Sequence, residues 1–114
     1  MASIVENEIA RHEPVLDEIV RKLVEVYSPE RIYLFGSRAR GDAGPDSDYD
    51  LLVVVPDGTP QRLRDGRVGH AAVGNIDVSK DILVCTNEYF HSRLHLKASF
   101  PSTVVREGKL LYAA

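Results

Sequence analysis

The sequence predicts a small α/β or mixed α+β fold, with a sheet of three or four strands flanked by helices. Two observations carry this expectation. An early stretch with a helical apolar period gives way to short apolar strands, and those strands alternate with further helical stretches. The two most apolar strands also bracket a glycine-bounded turn that ends in closely spaced carboxylates. At 114 residues the chain reads as one domain, residues 1–114, long enough to bury a core.

Each element has its own reason. From Pro14 to Tyr27 the apolar Leu16, Ile19, Val20, Leu23, Val24 and Tyr27 recur at helical spacing. Asp17, Glu18, Arg21 and Lys22 cover the other face, and Pro14 suits a first turn. Ser28-Pro29-Glu30 signals a turn, and Arg31–Phe35 is the first strand. Residues 36–46 form a turn, with one helical turn beginning at Ser37. Tyr49–Val55 is the second strand, apolar enough to be covered on both faces. Pro56-Asp57-Gly58 ends it. Thr59 as cap and Pro60 as first residue predict a helix over Gln61–Val73, weakened by Gly66, Gly69 and Gly74. Asp81–Thr86 is the third strand, and Thr86 or Asn87 caps a helix running to about Leu96. Ser99–Arg106 is a last short helix with Gly108 as its C-cap, and Leu110-Leu111-Tyr112 a short terminal strand.

Composition narrows the function classes. The 44% hydrophobic and 27% charged content is that of an ordinary soluble chain. A net charge of −3 argues against the whole chain being an electrostatic nucleic-acid binder. Cys85 is the only cysteine, so a disulfide framework and a cysteine metal cluster are both excluded, and it reads as a small core residue. Met1–Ile9 lacks a basic region followed by an apolar one, so no signal peptide is expected there. The longest apolar run, Leu51–Val55, is far short of a membrane span. The expectation is a cytoplasmic protein.

The chemistry concentrates between Ile32 and Val55. Gly36 and Ser37 end one strand, and Asp48 and Asp50 open the next. Strand side chains alternate, so Asp48 and Asp50 point the same way. Two like charges side by side repel unless a cation sits between them, usually a divalent metal with a phosphate beyond. Aspartate is also common in turns before strands, so Asp-x-Asp alone carries little. An EF-hand fails, because the position needing glycine holds Leu51 and the last position is Asp57. A P-loop fails too, because Gly36-x4-Gly41 is followed by Asp42 rather than lysine.

Ser37, ten residues, then Asp48-x-Asp50 is similar to the signature of the polymerase-β-like nucleotidyltransferase superfamily. The fuller string Gly-Ser-Arg-Ala-Arg-Gly-Asp, then Ser-Asp-Tyr-Asp-Leu, resembles its smallest members, the minimal nucleotidyltransferases. The likeness extends to Lys80-Asp81-Ile82-Leu83-Val84 and to Val105–Tyr112, and so covers most of the chain from about residue 14. It implies a nucleotidyltransferase fold with Mg2+ as cofactor and ATP as nucleotide substrate. It also implies transfer of a nucleoside monophosphate to a hydroxyl group.

In that setting Asp48 and Asp50 would be the shared catalytic metal ligands, and Gly36 would let the backbone approach the triphosphate. Ser37 would offer its hydroxyl and neighbouring amides to phosphate oxygens, while Arg38 and Arg40 are candidates to neutralise the leaving pyrophosphate. A third carboxylate should come from the next strand. Asp81 opens it as Asp48 and Asp50 open theirs and matches the family's position, while Asp77 shares its parity four residues earlier. Lys80 is a simple ion-pair candidate for Asp81.

Other residues read more plainly. His91 and His95 have two-histidine metal spacing, but with no third ligand they fit a solvated helix face. Arg62, Arg64, Arg67 and His70 are a solvated face or a docking surface for an acidic partner or nucleic acid. Tyr112 is expected to pack on the sheet.

Minimal nucleotidyltransferases of this kind are typically paired with a small helical HEPN toxin, so the resemblance implies an antitoxin that modifies a tyrosine of that partner. A binding module that neutralises its partner by contact is the second reading. Transfer to a small molecule such as an antibiotic is the third. It would need an extra helical domain or a homo-oligomer to complete the pocket.

Overall fold

The computed structural model describes residues 3–4 and 13–114. The reading of Met1–Ile9 as lacking a leader therefore falls almost wholly outside the described residues. The elements in order are β1 (Ser3–Ile4), α1 (Pro14–Tyr27), β2 (Arg31–Phe35), α2 (Ser37–Arg40), β3 (Tyr49–Val55), a 3-10 turn (Gln61–Leu63), α3 (Gly66–Ala72), β4 (Lys80–Thr86), α4 (Asn87–Ser92), α5 (Phe100–Glu107) and β5 (Lys109–Ala113). The sheet order is β1-β5-β2-β3-β4. Four principal strands make the sheet, and the two-residue β1 is added at one edge through Ser3↔Ala113 and Ile4↔Tyr112.

Among the described residues only β3 and β4 run parallel; the other pairs are antiparallel. A parallel pair needs a crossover, and residues 56–79 supply it. Strand alternation divides β3 between two cores. Leu51, Val53 and Val55 join α1 and Ile82 on one face, while Leu52 and Val54 join Tyr33, Phe90 and Val104 on the other. All five residues from Leu51 to Val55 are buried, as their continuous apolarity predicts. Tyr112 is buried in the α1-side core.

The crossover departs from expectation. A continuous helix over Gln61–Val73 does not form. Pro60 is extended at ψ 145°, the 3-10 turn stops at Leu63, and α3 begins only at Gly66. Thr59 is buried and caps nothing; its N–H closes a turn on to Pro56 O. The cap is Asp65, whose side chain accepts the Arg67 N–H. Gly66 explains the break, because a Cβ there would overlap the Ile82 carbonyl oxygen. The chain must drop against β4 at that point before a helix can start.

Tyr27 then fixes α3. Its hydroxyl donates to Asp65 O at 2.6 Å and accepts the Gly69 N–H at 2.7 Å. Gly69 allows this approach, since an added Cβ would lie 2.8–2.9 Å from Leu23 and Tyr27 side-chain atoms.

Helix α4 is also shorter than expected. It ends at Ser92, after which Leu94 and Leu96 make only turn-type bonds to His91 O and Arg93 O. Thr86 caps its start, as one of the two expected residues. Ser99 caps α5 and also donates to Arg93 O at 2.6 Å, tying the two helices together. Gly108 follows α5 but is extended rather than left-handed; glycine is needed because a Cβ would crowd Val104 O and Leu34 O. Among the described residues, no helix is long and apolar enough to cross a membrane.

Candidate active site

Three strand ends meet at one end of the sheet. β2 finishes at Phe35, the register partner of Asp50 on β3. Asp50 is in turn the register partner of Asp81 on β4. Neighbouring strands lie about 4.8 Å apart, so Asp50 and Asp81 stand side by side on one face. Asp48 lies immediately before β3 and is exposed, as is Asp81, while Asp50 is half-buried. The structure thus brings Asp81 beside Asp50. Asp77 lies in the loop before β4, in a small polar recess with Arg38, Asp46 and Ser47.

The Asp50 carboxyl is pushed above the usual carboxylate range. Burial is the largest cause, the negative charges of Asp81 and then Asp48 push the same way, and Arg40 pulls it back. This group therefore holds its charge reluctantly and gains from any cation placed between it and its neighbours. Among the described residues, no three His, Cys, Asp or Glu side chains already converge on one point. Asp48 and Asp81 are exposed and free to rotate toward Asp50. Three hard carboxylates at one end of the sheet, with the charges of Asp81 and Asp48 both acting on Asp50, fit Mg2+, which keeps much of its water and needs few protein ligands.

Gly36 closes the floor of the site. Its φ of +75° and ψ of −159° belong to a region that essentially only glycine adopts. A Cβ there would also overlap the Asp50 carboxylate. The glycine is required twice, by its backbone angle and by the space it leaves for Asp50. Ser37 follows as the first residue of α2, half-exposed, and its carbonyl accepts the Gly41 and Asp42 N–H groups.

The two arginines divide their work differently from the expectation. Arg38 donates through Nε to Ser47 O at 2.9 Å and through a terminal nitrogen to Pro45 O at 3.4 Å. Its guanidinium stacks 4.1 Å from the Tyr49 ring centre. It clamps the loop that leads into Asp48. Arg40, 3.4 Å from Asp42, is the arginine whose charge acts on Asp50.

Tyr49, between the two carboxylates in sequence, was not singled out. It is buried beneath Arg38 and donates to Glu13 Oε1 at 2.8 Å. Burial, with the neighbouring Glu13, raises its phenol above the ordinary value. An aromatic between two aspartates was the available signal.

Other candidates are absorbed by structure. Lys80 donates to Ile76 O and Val78 O rather than pairing with Asp81. Arg64 donates to Thr59 O and Asp57 O, and Arg67 grips Asp65. His91 is exposed, bonded to Asn87 O and 3.4 Å from Arg31. Cys85 is partly buried in the second core, and burial pushes its thiol up to about 11.

A family model described as "Nucleotidyltransferase domain" matches residues 16–110. Among solved structures, the chain is similar to one described as a toxin-antitoxin with AMP-PNP. Identity is 25% and the TM-score 0.57, covering 86% of this chain and 73% of that one. It is also similar to a mutant of the toxin-antitoxin MntA-HpeT, at 21% identity and TM-score 0.55 over the same shares; that likeness is one of fold. The comparison with curated proteins gives no match.

Proposed function

From the premise that this chain belongs to the nucleotidyltransferase domain family, we propose that it moves AMP from ATP to a tyrosine hydroxyl of a HEPN-family toxin and so acts in the cytoplasm as its antitoxin. One observation carries the reading: the Asp50–Asp81 rung, with Asp48 beside it and Gly36 leaving room below. The 25%-identical neighbour supports both parts, since its description names a toxin-antitoxin and AMP-PNP.

Mg2+ held by Asp48, Asp50 and Asp81 would supply charge neutralisation at the phosphates and acidify the acceptor hydroxyl. The protein's own groups do the rest. Gly36 and Ser37 bring main chain and a hydroxyl to the triphosphate, which no side chain at residue 36 obstructs. Arg40 adds positive charge on the same side. The acceptor oxygen forms a bond to the α-phosphorus, the bond from that phosphorus to the bridging oxygen breaks, and pyrophosphate leaves. The hydroxyl proton passes to the Asp81 carboxylate, which is exposed and able to release it to water.

The test is transfer of label from α-labelled ATP, with Mg2+, to the co-expressed partner. Wild type should label the partner and Asp48→Ala should not. Full labelling by Asp48→Ala overturns the mechanism. The second reading, neutralisation by contact, draws on the toxin-antitoxin named in the description of the 25%-identical neighbour. An Asp48→Ala/Asp50→Ala double variant that still rescues cells at normal expression would favour it.

A further inference from the structure

The face of the sheet that carries Asp50 and Asp81 continues into an apolar groove. Strand alternation places Leu52 two residues beyond Asp50, and Leu83 two residues beyond Asp81, on the same face. Cys85 follows, with Tyr89 of α4, Phe100 of α5 and Arg64 completing a groove of about 400 Å³. Its walls are open: Leu83, Tyr89 and Phe100 are 41%, 40% and 38% exposed. Elsewhere on this face Tyr33, Val54, Phe90 and Val104 are closed into the second core. That core reaches Asp50 on the β2 side through Phe35 and Leu52, but on the β4 side it is incomplete and leaves Leu83, Tyr89 and Phe100 uncovered near Asp81.

Reaction geometry says which substrate comes this way, given the proposed function on which this inference rests. Gly36 and Ser37 follow β2, on one side of Asp50; Asp81 lies on β4, on the other side. An in-line displacement puts the leaving pyrophosphate and the attacking hydroxyl on opposite sides of phosphorus. With the triphosphate resting on Gly36 and Ser37, the hydroxyl must arrive over β4. β4 is the edge strand of the sheet, and the groove lies along it.

We propose that this groove seats the acceptor segment of a protein partner, taking the apolar side chains that flank the modified tyrosine. Charge defines the segment further. The exposed Asp48 and Asp81 lie at one end of the groove, and the exposed Asp57 and Glu88 beyond the other, beside Arg64. The Arg64 guanidinium is already committed to two backbone carbonyls. The segment is therefore apolar next to the tyrosine and basic at its ends.

Two synthetic peptides with a single tyrosine serve as probes. One has leucines beside the tyrosine and lysines at its ends; the other has glycine and serine in all those places. With ATP and Mg2+, wild type should label the first at least about tenfold more efficiently, the scale of discrimination an apolar pocket provides. A fluorescent form of the first peptide should bind wild type more tightly than Leu83→Glu or Phe100→Glu. Both positions are exposed, and unchanged melting temperatures verify folding. Binding of a fluorescent ATP analogue should be the same in all three proteins. Equal labelling and binding of the two peptides by wild type overturns the proposal, as does failure of the first peptide to bind. Retained preference in both variants overturns it too. Loss of ATP-analogue binding in the variants also overturns it and gives the groove to the nucleobase. Tight binding of the first peptide without labelling leaves the groove standing and sinks the transfer reaction instead.

Discussion

Replacing Gly36 with alanine separates backbone strain from site geometry. At φ +75° and ψ −159° a Cβ costs about 1–3 kcal/mol. For a chain of this size that lowers the melting temperature by roughly 4–12 °C. The second effect is local. The new methyl overlaps the Asp50 carboxylate, and that carboxylate is the movable partner, so it swings away. A displacement of about 1 Å in a reacting group costs on the order of 100-fold in rate. Gly36→Ala should therefore unfold several degrees early yet stay folded at 25 °C, and transfer label about 100-fold more slowly. In an Asp50→Ala background the overlap disappears and only the backbone penalty stays. The melting-temperature loss should then persist while no further activity is lost. Calorimetry and label transfer on the four proteins of this cycle give the answer. A Gly36→Ala protein with wild-type melting temperature and wild-type rate would refute the reasoning.

The Asp50 carboxyl has a folded-state pKa above its ordinary 3.8, so the folded protein favours its neutral form and loses that contribution as pH rises through the raised value. Asp50→Asn should be inactive, more stable than wild type near pH 7 without metal, and lose that advantage as pH falls below the ordinary carboxylate range; paired melting curves across pH check this. Arg38→Lys keeps the charge but cannot hold Ser47 O and Pro45 O together. If Arg38 positions Asp48 through this loop, kcat should fall at least about tenfold with the KM for ATP little changed; a wild-type kcat would return Arg38 to the phosphate role. Tyr27→Phe removes the hydroxyl that serves both Asp65 O and the Gly69 N–H, and should cost about 1–3 kcal/mol in urea denaturation. A loss below about 0.3 kcal/mol would show that those groups find other partners.

What the sequence made legible depended on the range of the forces involved. Helix α1 spans Pro14–Tyr27 as read, because a 14-residue amphipathic period is a local signal repeated over four turns. The strands Arg31–Phe35 and Tyr49–Val55 were equally plain from apolarity and the turn residues between them. The Gln61–Val73 segment was misread because its break is imposed from outside. Gly66 must pass the Ile82 carbonyl, and Asp65 answers to Tyr27, 38 residues away. In the site, spacing was enough to bring forward Asp48, Asp50 and Gly36. It left Asp81 and Asp77 in competition, because parity is shared by residues four apart and only the β3–β4 register separates them. Of the two arginines the sequence favours Arg38 for the phosphates, yet Arg40 is the one whose charge acts on Asp50, since a four-residue helical turn sends alternate side chains in unrelated directions.

The mixed direction of the sheet is what gathers the site. β2 and β3 are antiparallel, so the end of one meets the start of the other, and Phe35 and Gly36 arrive beside Asp50. β3 and β4 are parallel, so their starts coincide, and Asp81 reaches the same place. An all-antiparallel order would have carried the start of β4 to the far end of the sheet, five rungs from Asp50. The crossover that makes β4 parallel is therefore as necessary to the site as the aspartates themselves. It is held by Tyr27 on Asp65 and Gly69, and by Gly66 against Ile82, one residue from Asp81. Stability and site geometry share these contacts, so a lesion in the crossover acts on the register of Asp81 without touching any carboxylate.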